Sequence, residues 1–172
     1  MLQLSGSLIN QPVLSLRTGT PIALAQRAII NPNNLKIEGF YCQDGANRKK
    51  ELVLLYQDIR DIIPQGLIVN DHDVLAEPEE LVRLKDILHL NFELLGKPVV
   101  TASGDKVGKV GDYATETTSM FVQKLYISQS LFKSFAGGNL GVDRTQIVEI
   151  TPRKIVINDL EQKVPARVGA IA

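Results

Sequence analysis

Asp71-His72-Asp73 sets an imidazole between two carboxylates, where ligand-type side chains crowd together. Such a trio offers weak ion binding. A tight metal site needs ligands converging from spaced positions, whereas neighbours in one loop diverge into water. The solvated loop is the preferred reading. His89 is the only other histidine, and no recognisable ligand set surrounds it. A hydrolase or isomerase built on His72 or His89 needs carboxylates drawn from elsewhere into one cavity, with shifted pKa values. No motif specifies that. The chain is read as a non-enzyme, with no catalytic, cofactor-binding or metal-binding residue assigned.

Two further features carry no chemistry. Gly104-Asp105-Lys106-Val107-Gly108-Lys109-Val110-Gly111 is rich in glycine but lacks the Gly-Lys-Ser/Thr ending and following helix of a phosphate loop. Cys42 is the single cysteine, so it forms no internal disulfide, and its place in an apolar strand pattern predicts a buried thiol.

Phe132 and Phe135 lie three apart, with Lys133 between them, in a segment that replaces the polar loop, Asp44 to Lys50, of the first copy. They plug a barrel or domain interface under one reading. Under the other they form an exposed partner-binding patch, to which Lys133 and Arg144 add polar contacts. Phe132, Lys133, Phe135 and Arg144 are the candidate partner-binding residues.

The elements that carry these residues come in duplicate. Ile62-Ile63-Pro64 through Asn70-Asp71 returns as Ile150-Thr151-Pro152 through Asn158-Asp159, at a separation of 88 residues. Pro12 has a counterpart in Pro98. Each copy strings short apolar runs between Gly, Asn and Pro turns, which predicts small barrels or sandwiches. Closure hides strand edges, so barrels are favoured. The expected units are residues 1–76 and 94–165, joined by a helical connector over 77–93 and followed by a flexible tail over 166–172. Leu81, Leu84, Ile87 and Leu88 share one helical face, and Pro78 suits a first turn, so the connector reads as a helix of about three turns packed on a barrel.

The second copy resembles the PRC-barrel family through Leu95-Gly96-Lys97-Pro98-Val99-Val100, the Gly104 to Asp112 turn-and-strand, and Ile147-Val148-Glu149-Ile150 followed by Ile155-Val156-Ile157. The first copy is degenerate at its turn, with Ala23 in place of the second glycine. The resemblance implies an all-β fold of tandem small PRC barrels with a short connecting helix. It also implies a binding or assembly role, because the family shares no catalytic set. Its members include the photosynthetic reaction-centre H subunit and a ribosome-maturation factor.

Lys plus Arg total 19 and Asp plus Glu total 19, so no general attraction to nucleic acid or anionic lipid is expected. No apolar run is long enough to span a bilayer and no secretory signal is visible. The chain is expected to be cytoplasmic, with peripheral attachment to a membrane complex left open. The leading expectation is a bacterial protein-binding or complex-assembly adaptor without cofactor. Its partner would be a protein or ribonucleoprotein. The alternatives are RNA-associated ribosome maturation and structural oligomerisation.

Overall fold

The computed structural model describes residues 1–129 and 139–160. A short strand, β1 (Leu2–Leu4), precedes a first series: β2 (Gln11–Ser15), β3 (Pro21–Asn31), β4 (Lys36–Asp44), β5 (Glu51–Leu55), β6 (Asp61–Ile63) and β7 (Gly66–Val69). After one α-helix, α1 (Lys85–Leu90), a second series follows: β8 (Pro98–Thr101), β9 (Lys106–Glu116), β10 (Phe121–Ser128), β11 (Leu140–Asp143), β12 (Ile147–Ile150) and β13 (Ile155–Ile157). The fold is all-β.

The two series share one topology. β2 to β5 pair antiparallel in sequence, β7 returns to lie parallel to β2, and β6 flanks β7. β8 to β11, β13 and β12 repeat that arrangement. A ladder position between β4 and β10, Lys36 opposite Phe121, merges them into one mixed sheet, and β1 adds to β9. Among the described residues no ladder joins β6 to β5, or β12 to β11. In the first series the far edge of β5 is instead met by Ala76, which exchanges two backbone hydrogen bonds with Val53.

Side-chain alternation sets which face of each strand is buried. On β4, Ile37, Phe40 and Cys42 are fully buried, and the phase slips between Gly39 and Phe40. The slip follows Glu38, an extra residue in β4 that leaves Ile29 and Ile30 of β3 opposite Gly39 and Ile37. Gly108 shows why a glycine stands in β9: a Cβ there would sit 2.1 Å from the Ser128 carbonyl oxygen. The buried apolar side chains of both series form one continuous cluster, from Leu8 and Val13 to Ile155 and Ile157.

The duplicated Asn-Asp has a structural task. Asp71 accepts hydrogen bonds from the Ser15 hydroxyl and from Arg17, closing the β2–β3 turn. Asp159 accepts from the amide and hydroxyl of Ser103, closing the β8–β9 turn. Ser15 and Arg17 stand 86 residues before Thr101 and Ser103. The His72 amide and Arg17 hold the Asp71 carboxyl below its ordinary range, and the Ser103 hydroxyl and amide do the same for Asp159.

The connector is not the expected three-turn helix. Pro78–Glu80 and Val82–Leu84 are single 3-10 turns, and α1 spans only six residues. The apolar stripe survives, since Leu81, Leu84, Ile87 and Leu88 are all half-buried. Its period is broken at Leu81, whose φ of −91° and ψ of 72° are not helical. An isolated helix of this length is marginal, so contacts to the sheet decide the backbone. Ala76 is paired to β5 at one end, and Asn91 ends α1 in the left-handed region at the other.

Candidate functional site

The two series are interlocked by reciprocal exchange. The segment before β2 reaches across to the second series. Its Ser5 amide and hydroxyl donate to Asp112 of β9, at 3.2 and 2.6 Å, and its β1 pairs with Ala114–Glu116. The N-terminal amine reaches Glu116. In return, the segment before β8 lies against β3 of the first series. There Arg27 donates to the Asn91 side-chain oxygen at 3.2 Å.

The hairpin turns cross over in the same way. The turn after β3 ends at Leu35 and the turn after β9 ends at Met120, both with positive φ. The Leu35 carbonyl accepts from the Val122 amide at 2.9 Å, and the Met120 carbonyl accepts from the Ile37 amide at 2.8 Å. Each turn faces a cleft on the opposite series. Thr117, Thr118 and Met120 line one with Tyr56–Ile62 residues, and Asn33, Asn34 and Leu35 line the other with Arg144 and Ile147–Ile150. Most of the lining residues are related by the repeat, Asn33 to Thr118, Leu35 to Met120, Tyr56 to Arg144 and Ile59 to Ile147.

An apolar cavity lies where the segment before β8, the second leader, meets β3. It is a cavity of about 220 Å³, lined by residues 26–30 of β3, by Ile87, Leu88 and Phe92, and by Tyr41 and Tyr113. Arg27 forms its polar edge. The guanidinium stacks 4.5 Å from the Tyr41 ring centre and lies 3.6 Å from Glu51 and 3.9 Å from Glu93. Burial raises the Tyr41 pKa; the Arg27 charge works against that rise and the Glu51 charge adds to it. Burial, and secondarily the Asp112 charge, raises Tyr113 far more. Both phenols therefore stay neutral hydrogen-bonding groups near pH 7. The arrangement can take an apolar group against Ile87, Leu88 and Phe92, with a polar edge at Arg27.

Arg144, a candidate partner contact by sequence, is half-buried at the junction. It donates to the Asn34 carbonyl at 2.7 Å and the Val122 carbonyl at 3.2 Å, and stacks 5.1 Å from the Phe121 ring centre. It ties the second series to the first. Phe132, Lys133 and Phe135 lie outside the described residues.

His72 does not join Asp71 and Asp73 around an ion. Its Nε2 lies 2.9 Å from Oδ1 of Asp44, a contact between residues 28 apart that the sequence reading missed. The paired carboxylate is nearly buried, at 7% exposure, while the imidazole is half open. The His72 contact holds the Asp44 pKa down against the opposing effect of burial. Among the described residues no group of three or more His, Cys, Asp or Glu is placed to hold a metal ion. Cys42 is buried as expected, and burial pushes its thiol up to about 12. No helix of the described residues is long and apolar enough to cross a membrane.

No family model matches this chain, and no curated protein matches it.

Proposed function

We propose that this chain is a non-enzymatic assembly scaffold, built from two small barrels of the PRC type, that holds protein partners in a fixed arrangement. Reciprocal exchange is the observation that carries the reading. Leaders and hairpin turns cross between the halves, so neither half turns freely on the other, and an apolar cleft is left beside β3. A rigid body with a preformed cleft loses little conformational freedom on binding. The balanced charge of the chain favours a protein partner over a polyanion. A site peripheral to a larger complex in the cytoplasm fits the same reading.

Isolation of native complexes through the full chain tests this, followed by rebinding of the purified components. The expected result is a stoichiometric protein partner that rebinds saturably and cross-links to the cleft. Absence of any partner that rebinds from purified components would contradict it. So would turnover of a small molecule at His72.

A further inference from the structure

The exchange between the halves is incomplete at one point. Residues 87–96 follow residues 1–10 at a separation of 86: Leu2 corresponds to Leu88, Leu4 to Leu90, Ser5 to Asn91, and Leu8 to Leu94. The anchors correspond too. Ser5 grips Asp112 on β9, and Asn91 is gripped by Arg27, the residue of β3 that occupies the place of Asp112 on β9.

Beyond the anchor the two leaders diverge. Leu2-Gln3-Leu4 is extended and pairs with Ala114–Glu116. Leu88-His89-Leu90 is the last turn of α1. The stretch of β3 equivalent to Ala114–Glu116 is Ile29–Asn31, and among the described residues its ladder lies on the β4 side only.

The cavity of about 220 Å³ touches five successive residues of this strand, Gln26 to Ile30. Successive side chains of a strand point to opposite faces. That alternation breaks at Gln26 and at Ile29–Ile30, which are both buried, so the cavity marks space beside this stretch of β3.

We propose that this edge of β3 is a strand-addition site for an extended segment of a protein partner, with the uncharged pattern Leu-x-Leu. The inference rests on the scaffold reading and names its partner chemistry. β1 is the occupant seen at the equivalent edge, and it has this pattern. An uncharged segment fits because Arg27 already has Glu51 and Glu93 beside it. Backbone pairing supplies affinity in this mode, and the pocket for alternate side chains supplies selectivity. Here that pocket is formed by Ile87, Leu88 and Phe92.

The test is a titration of the full, isotope-labelled chain with a capped heptapeptide of its own residues 1–7, followed by amide resonances. Saturable shifts are expected at Arg27–Asn31 and Ile87–Asn91, with Ala114–Glu116 unmoved. Gln3→Pro in the peptide removes a backbone donor and should weaken binding at least ~10-fold. Leu88→Glu in the chain should weaken it comparably, whereas Leu90→Glu, outside the cavity, should not. Failure to saturate or equal binding of the proline peptide would overturn the site. So would shifts at Ala114–Glu116, which would mean that the peptide displaces β1. A ladder formed by Leu88–Leu90 itself on β3 in the free chain would make that segment the occupant and equally overturn it. If the peptide fails while a purified native partner still rebinds, the strand site falls and the scaffold reading stands.

Discussion

Lys36 and Phe121 stand opposite each other at the ladder position that joins β4 to β10. They are also counterparts in the repeat, each opening the strand after a hairpin turn. Lys36 lies 4.2 Å from the ring centre of Tyr56, and Phe121 lies 5.1 Å from the guanidinium of Arg144. Tyr56 and Arg144 are themselves counterparts, 88 residues apart. The duplication kept a cation–aromatic pair on each side of the junction and exchanged which partner carries the charge.

Arg144 should matter for stability. Arg144→Leu removes one hydrogen bond that crosses the junction, to Asn34, and one within the second series, to Val122, and leaves both carbonyls short of a donor. A loss of about 1.5–3 kcal/mol is expected in urea unfolding. Arg144→Lys should recover only part of it, because one ammonium does not reproduce the planar fork.

Thr115 should be improvable. Its side chain is fully buried, and its Oγ1 has no hydrogen-bond partner among the described residues. Ile30 fills the equivalent place on β3 and is buried too. Thr115→Val keeps the shape and removes the orphaned hydroxyl, so a gain of about 1–2 kcal/mol is expected in the same assay.

Acid should expose the Asp44–His72 contact. The folded-state pKa of Asp44 is depressed, so the contact contributes stability above the unfolded carboxylate value of about 4. That contribution is lost as pH falls through the lower folded value. His72→Ala should cost roughly 1 kcal/mol at pH 6, and the gap from the parent should narrow below about pH 4. Urea midpoints across pH 3–6 read both effects.

Cys42 should be inert to a thiol reagent at pH 8 in the native chain. Burial pushes its pKa to about 12, leaving almost no thiolate and no access. Release should follow unfolding, so labelling in rising urea should track loss of structure.

Much of the fold was legible because it rests on local patterning and a long repeat. Ile62–Asp71 and Ile150–Asp159 carry the matching strands β7 and β13 that their apolar positions imply, while the clamping role of Asp71 and Asp159 emerged only from the fold. The leaders were harder. Leu-Gln-Leu and Leu-His-Leu are short and nearly alike, yet one is a strand and the other a helical turn. Tertiary context decides between them, and three residues carry too little propensity to choose. The Leu-x-Leu spacing at a separation of 86 was the available signal. Crossing over was also hidden, since a segment's period is the same whichever half it packs on. Arg144 illustrates this for charge: its type suggests a partner contact, and only the fold brings it to the Asn34 carbonyl. The Asp44–His72 contact needs two loops to meet and has no local trace.

Native-state hydrogen exchange at the Ile37 and Val122 amides tests the interlocking most directly. These two donors bond the Met120 and Leu35 carbonyls across the junction. If the halves form one body, both amides open only with the whole chain. Their exchange free energies should then equal each other and the global unfolding value. A markedly lower value at both, with core amides such as Phe40 and Leu125 still fully protected, would show halves that separate before they unfold and would contradict the account.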